Sequence, residues 1–344
     1  MRIIYLKKTI NDEEIGKKEG EYIDLKHYKF IINKNCDGYK NDTKELLFKF
    51  RKNVIPKKLT KLAYNCFNVA SKQLHDNRGA AAGILDRTKM PRYIGEFGNR
   101  KSKFRTNFYS NKTGKLSNQL VSNRSPSNIV GYYDKPDRNI GRNAQPCRIT
   151  AFIKYYSDEW EKSLPFIKKI DKLFKKLVPN RHKIQRYFSK QTKFCIGDTA
   201  YSTMTINNNW RTALHKDAGD LEEGFGNLIV CSKGKFSGGY LGFPQYSVCI
   251  NVQDGDFLAM DVHEWHCNTE IKPITKEYDR LSIVAYLRKN MIRCKGLKLL
   301  DYIYNESDRY KSKKIAKKAN KKIAKKANKK ATKRTTKRTN KKTT

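Results

Sequence analysis

Between Thr212 and Leu287 the chain carries His215-Lys216-Asp217, a further histidine at His266 directly after Trp265, and then Arg280-Leu281-Ser282. Two imidazoles and one carboxylate on one face of a metal, with the other positions open, are the ligand set of a non-haem iron(II) centre. Residues two apart on an extended strand point to the same side, so His215 and Asp217 can reach one ion. The second imidazole must come from another strand. His263 and His266 both follow the apolar run Phe257–Met260. His266 is favoured, because it lies beyond a Gly-Asp turn and a buried strand; His263 then stands beside the site or at the surface. Arg280 heads a very apolar strand, where a guanidinium can hold a carboxylate through two parallel hydrogen bonds, and Ser282 on the same face can add a third. Taken singly each residue has an ordinary explanation: HxD arises by chance, and Arg280 could pair with Asp279 or Glu277. The weight rests on the combination and its spacing.

These residues need short strands around them, and the chain supplies them. From Phe194 to Leu287 it reads as β-type runs separated by glycine turns, at Ile229-Val230, Tyr246–Val252, Phe257–Met260 and Leu281–Leu287, the pattern of a sandwich or barrel. Upstream, residues 164–177 place Phe166, Ile167, Ile170, Leu173, Phe174 and Leu177 on one stripe, with Pro165 in the first turn of the expected helix. Pro56 opens another helix, with Leu59, Leu62, Ala63, Cys66 and Ala70 on one face. In residues 1–55, Ile3–Leu6 and Tyr28–Ile32 read as strands. Asn77–Gly83 is a small-residue stretch suited to close backbone approach. From there to about Gly141 the chain is rich in Asn, Ser, Arg and Gly, with Phe104, Phe108, Tyr109, Tyr132 and Tyr133 interleaved. Basic residues beside aromatics suit unstacked bases.

The formal net charge is +41, from 74 Lys and Arg against 33 Asp and Glu. Residues 311–344 hold 17 of those cations and no acid, which leaves the preceding part at about +24. A polyanion, above all nucleic acid, is the expected partner. The repeat Lys-Lys-Ile-Ala-Lys-Lys-Ala-Asn, present at 313–320 and again at 321–328, marks a tail expected to be disordered when free. Eight cysteines, at 36, 66, 147, 195, 231, 249, 267 and 294, form no CxxC pair; reduced thiols of an intracellular protein are expected. No signal-peptide pattern opens the chain and no apolar run has membrane-spanning length. The expectation is a nuclear or cytoplasmic protein, and the Lys/Asn-rich composition suits an AT-rich genome such as that of a large virus.

In this combination the residues resemble the iron(II)/2-oxoglutarate dioxygenases, whose signature is HxD, a distal His and Arg-x-Ser on a double-stranded β-helix. Gly238-Gly239-Tyr240-Leu241, followed by Phe243-Pro244, is similar to the strand that precedes the distal His in many of them. Within that superfamily the chain most resembles the TET/JBP group, which oxidises the 5-methyl group of pyrimidines in nucleic acid. Asn77–Gly83 resembles the group's upstream arginine and small-residue stretch, Cys147-Arg148-Ile149-Thr150-Ala151-Phe152 its Cys-Arg-Leu-Thr-type strand, and Asn207-Asn208 with Arg211-Thr212 its lead-in to the metal motif. The resemblance covers roughly residues 60–290. The cysteine-rich zinc insert of the animal enzymes is absent, so the viral, phage or protist type is the better analogy.

The resemblance implies an α+β fold with a double-stranded β-helix (jelly-roll or cupin-like) core and flanking helices. It divides the chain into an extension (1–55), a dioxygenase domain (56–290), a linker (291–310) and the Lys-rich tail (311–344). His215, Asp217 and His266 would be the metal ligands and catalytic centre, with Fe(II), 2-oxoglutarate and O2 as cofactor and cosubstrates. Arg280, Ser282 and Arg211 would serve the cosubstrate, and Asp220, Arg78 and Arg148 the substrate. Nucleic acid, DNA first, would be the partner of a monomer with no membrane role. The substrate would be thymine or 5-methylcytosine. Two competing readings are a hydroxylase of protein side chains with the same metal residues, and a non-catalytic basic nucleic-acid binder. The basic, aromatic segment 77–148 leans away from the first, and the five spaced ligand-type residues lean away from the second. A dinucleotide-binding loop is excluded: Gly224-Phe225-Gly226 has Ile229 where the third glycine belongs, and no helix pattern follows.

Overall fold

A computed structural model describes residues 1–89, 102–110, 113–117, 119–134 and 146–297. The lysine-rich tail and most of the linker expected at 291–310 lie outside the described residues.

The first quarter of the chain forms strands β1 (Arg2–Leu6), β2 (Phe30–Ile32), β3 (Cys36–Lys40) and β4 (Leu46–Arg51), with the short helix α1 (Asp12–Lys17) after β1. Helix α2 (Lys57–Ser71) follows, then β5 (Ser127–Asp134) and β6 (Cys147–Ile149). Helices α3 (Ala151–Tyr155), α4 (Ser157–Leu177) and α5 (Pro179–Ser189) come next. The remaining strands are β7 (Thr203–Asn208), β8 (Gly226–Lys233), β9 (Phe236–Gly238), β10 (Leu241–Phe243), β11 (Val248–Ile250) and β12 (Phe257–Met260), then β13 (Cys267–Asn268), β14 (Ile271–Pro273) and β15 (Asp279–Tyr286).

A nine-stranded sheet runs in the order β1-β3-β4-β12-β8-β15-β7-β5-β6, and a four-stranded one in the order β13-β10-β11-β2. Their facing sides share one apolar core. Phe48 and Phe50 of β4, Val230 of β8 and Leu258 of β12 meet Phe243, Val248 and Ile250 of the smaller sheet. Phe48 and Phe243 stack across it, ring centroids 6.2 Å apart. Each such side chain removed from water contributes about 1.5–3 kcal/mol. The outer side of the large sheet is covered by α2, which packs on β7 and β8 and against α4. This explains the uninterrupted apolar run in β8: both of its faces are covered, so alternation is lost.

The strand expected at Ile3–Leu6 coincides with β1, while of Tyr28–Ile32 only Phe30–Ile32 forms a strand, β2, because Tyr28 closes the turn Leu25–His27; β1 and β2 pair with β3 and β11. Helix α2 begins after Pro56 as expected, and Ala63, Cys66 and Ala70 are buried on it as expected together with Thr60, Tyr64, Phe67 and Ser71, while Leu59 and Leu62 are only half-buried. Helix α4 starts at Ser157, with Asp158 and Glu159 in its first turn, so Pro165 lies inside it rather than at its start. One cysteine pair departs from the reduced state expected. Cys147 and Cys294 form a disulfide, Cα atoms 6.1 Å apart, between β6 and the turn after β15. They are separated by 147 residues, so chain spacing could not show the pairing. The other six thiols are free.

Candidate metal centre and active site

His215 and His266 sit opposite one another on neighbouring antiparallel backbone segments. The amide of each donates to the carbonyl of the other, at 3.1 and 3.0 Å, and the Asp217 amide donates to the Val262 carbonyl at 3.1 Å. This brings two segments, 51 residues apart in sequence, into a fixed register. The imidazole centroids are 4.4 Å apart. Asp217 Oδ1 lies 3.7 Å from His215 Nε2, and its Oδ2 lies 3.8 Å from His266 Nε2. One ligand atom from each of the three residues falls within 4.8 Å of the others.

The ring tautomers follow from the backbone. His215 Nδ1 is 2.8 Å from the Ala213 carbonyl, and His266 Nδ1 is 2.9 Å from the Glu264 carbonyl. A carbonyl only accepts, so each Nδ1 carries the proton and each Nε2 offers a lone pair to the centre, the arrangement a metal requires. Burial, reinforced by the neighbouring His266 imidazole, lowers the His215 pKa to about 4, against the pull of Asp217. The imidazole is therefore neutral at ordinary pH. His263 turns away: its Nδ1 is 3.3 Å from Asp261 Oδ1. The distal histidine that completes the cluster is His266.

The cluster opens on a cavity of about 540 Å³. Strand β15 alternates, and its inward residues Ser282, Val284 and Tyr286 line that cavity. Arg280 continues the same face one pleat deeper, but is not itself in the lining. Its side chain is wholly buried, at 1% exposure. It donates from Nη2 to the Gly239 carbonyl at 3.2 Å and lies over Phe236, 5.6 Å from the centroid, while Nε has no partner. Burial pulls its pKa down to about 10. The approach of that carbonyl depends on Gly238 and Gly239, at φ +73° and +63°; a Cβ at Gly238 would fall 1.9 Å from the Glu270 carbonyl oxygen.

Asp220 lines the cavity and is 8% exposed. Burial, and after it the nearby Asp217 carboxylate, push its pKa well above the usual range, with Arg288 opposing. Arg78 also lines the cavity; its buried Nε has no hydrogen-bond partner. Arg211 and Arg148 are placed elsewhere. Arg211 donates to the carbonyls of Asn268 (3.3 Å) and Ile23 (3.1 Å) and pairs with Asp24 at 2.9 Å. It ties the N-terminal segment to the strand after His266, and it is not itself among the residues that line the cavity. Arg148 lies over the Tyr133 ring at 4.2 Å on β6, outside the lining. Tyr286 and Arg288 are among the cavity residues that escaped the sequence reading. Tyr286 continues the two-residue period from Arg280, a signal that was there to be followed. Arg288 is paired with Asp134 across β5, and chain order carries no sign of it.

Residues 128–289 match the model of the Tet_JBP family, the oxygenase domain of the 2OGFeDO superfamily. The match takes in just under half of the chain, and that part resembles the Tet_JBP family. The match takes in all three members of the cluster, Arg280 and Ser282. Among relatives, the chain is similar to thymine dioxygenase JBP1 of Trypanosoma brucei brucei, 35% identical over 176 residues, which is 50% of this chain and 20% of that protein. It is similar to the bifunctional helicase and thymine dioxygenase JBP2 of Leishmania braziliensis, 35% identical over 165 residues, 48% of this chain and 14% of that one. The chain thus spans a fifth or less of the length of these two relatives. Among solved structures, NgTET1 in complex with 5mC DNA is a loose likeness, with a TM-score of 0.46 and 14% identity over 84% of this chain and 83% of that one. Oxygenases of the 2OGFeDO superfamily take iron(II), 2-oxoglutarate and O2. The donor set here fits that use: two imidazoles, each with its Nδ1 against a backbone carbonyl, and one carboxylate converge, the facial set suited to iron(II). Among the described residues no helix is long and apolar enough to cross a membrane.

Proposed function

We propose that this chain is an iron(II)- and 2-oxoglutarate-dependent dioxygenase that hydroxylates the 5-methyl group of a pyrimidine base in nucleic acid. The observation that carries the reading is the His215–Asp217–His266 cluster, with both Nδ1 atoms pinned to carbonyls, at the wall of a cavity that ends toward a buried Arg280. The facing nine- and four-stranded sheets support a double-stranded β-helix as the frame. His215, Asp217 and His266 hold the iron, which supplies oxidation of a C–H bond at the expense of O2 and 2-oxoglutarate. Arg280 anchors the far carboxylate of 2-oxoglutarate, with Ser282 donating beside it. Asp220 and Arg78, on the cavity wall, hydrogen-bond the base edge. A base in a duplex must leave the stack to reach so recessed a site. Arg211 and Arg148 act as braces, since neither lines the cavity.

The thymine dioxygenase names of the relatives make thymine in DNA the first substrate to test and 5-methylcytosine the second. A basic chain suits phosphate contacts and an intracellular, nuclear site of action. The test is anaerobic loading with iron(II) and 2-oxoglutarate, exposure to O2 with methylated and unmethylated DNA, and mass spectrometry of the nucleosides. One added oxygen atom on thymidine or 5-methyldeoxycytidine is expected. Succinate without a changed nucleoside would overturn the substrate, and no succinate would overturn the reaction.

A further inference from the structure

The loop that presents His266 is held from the far side by a lysine that belongs to the N-terminal strands. Lys40, the last residue of β3, reaches Glu264 Oε1 at 2.7 Å and Asp261 Oδ2 at 3.0 Å. The Lys40, Asp261 and Glu264 side chains are 11%, 13% and 11% exposed. Lys8, from just after β1, adds a longer contact to Glu264 Oε2 at 3.6 Å. One ammonium therefore ties together both ends of the turn Asp261–Glu264. The backbone makes the same connection, because the Asp261 amide donates to the Leu47 carbonyl of β4 at 2.9 Å.

Both ends of this turn act on the site. At its near end, Asp261 Oδ1 accepts from the His263 amide at 3.1 Å and faces His263 Nδ1 at 3.3 Å, which keeps that imidazole out of the cluster. At its far end, the Glu264 carbonyl accepts the proton of His266 Nδ1, which sets the tautomer and the aim of the ring. The segment before His215 is held similarly. The Gly20 amide donates to the Leu214 carbonyl and the Leu214 amide to the Glu21 carbonyl, each at 2.8 Å.

We infer that Lys40 is a positioning residue for the distal histidine: by clamping Asp261 and Glu264 it holds the Glu264 carbonyl where it orients His266. This rests on the reading of His215, Asp217 and His266 as metal ligands. Partners that orient metal-bound histidines typically change metal affinity about 10- to 100-fold when removed. Lys40 would do so through a charge pair to the residue whose carbonyl holds the ring.

The test is a titration of the metal-free, full-length protein with cobalt(II), read by its visible absorption. Wild type is expected to bind one cobalt per chain, and Asp217→Ala to lose it. Lys40→Met should weaken cobalt binding about 10- to 100-fold and alter the band, while Lys40→Arg, which keeps the charge, recovers most of the affinity. Thermal melting of the metal-free variants shows that each is folded. Should Lys40→Met alone fail to fold, Lys40→Met/Glu264→Gln removes both charges of the closest pair, and it too should bind cobalt weakly. A folded Lys40→Met, or the double variant, that binds cobalt as tightly as wild type would overturn the positioning role and leave the metal site standing. Absence of cobalt binding by wild type itself would overturn the metal reading, and this inference with it.

Discussion

Replacing Arg280 with Met should move cosubstrate binding and fold stability in opposite directions. Arg280 is 1% exposed, donates one hydrogen bond at 3.2 Å to Gly239, and leaves Nε unpartnered. No carboxylate is paired with it among the described ion pairs, and burial has already drawn its pKa down to about 10. A charge taken from water without a counter-charge lowers the stability of the empty protein. An incoming carboxylate would supply that counter-charge. Two charge-assisted hydrogen bonds contribute about 1.5–3 kcal/mol each, so losing them weakens 2-oxoglutarate binding about 10²- to 10⁴-fold, at 1.4 kcal/mol per tenfold. Met fills the space of the arginine stem without the charge, so the ligand-free variant should be as stable as wild type or more so. Urea denaturation with manganese(II), in the presence and absence of 2-oxoglutarate, reads both effects. At 100 times its Kd the ligand adds about 2.7 kcal/mol to wild type; a variant bound 100-fold more weakly gains about 0.4 kcal/mol at the same concentration. An undiminished ligand-dependent gain would refute the anchor. A ligand-free variant several kcal/mol less stable would show that Arg280 holds the fold instead.

The pH dependence of the metal-free protein follows from His215, whose pKa is lowered to about 4 against about 6.5 for an unfolded imidazole. The unfolded chain then takes up the proton first, so stability falls as pH drops through that window, by about 2 kcal/mol from pH 7 to pH 5. A flat profile, or an unchanged one in His215→Asn, would count against the buried neutral imidazole. Asp220→Ala should keep metal and 2-oxoglutarate binding but cut nucleoside oxidation about 10- to 100-fold, a buried hydrogen-bond partner left unsatisfied costing about 1–3 kcal/mol; equal loss of succinate formation would show Asp220 serving the metal centre instead. Deleting 311–344 removes 17 cations and should weaken DNA binding and flatten its salt dependence, by about 0.9 in the log–log slope for each phosphate the tail neutralises. An unchanged slope would show that the tail neutralises none.

What the sequence carried by itself was local. Residue type and short spacing sufficed for His215 with Asp217, for the two-residue period that puts Arg280 and Ser282 on one face, and for strands at Ile3–Leu6 and, within Tyr28–Ile32, at Phe30–Ile32. The start of α2 after Pro56 was equally legible, because proline and the apolar pattern act within a turn or two. Chain order only favoured His266 over His263; distance decides it, since Asp261 takes the His263 ring and the Glu264 carbonyl aims His266 at Asp217. Helix α4 runs past Pro165 because the face buried beneath it, Trp160 and Ser163 included, outweighs one missing backbone bond. Arg211 carries the right charge beside the right motif, yet its guanidinium is used on Ile23, Asp24 and Asn268. The Cys147–Cys294 bridge and the Lys40–Asp261 pair join residues 147 and 221 positions apart. Pairings at such separations leave no periodic trace in the chain. They exist only once two sheets have closed on a common core, and it is that closure which turns a set of metal-ligating residue types into one site.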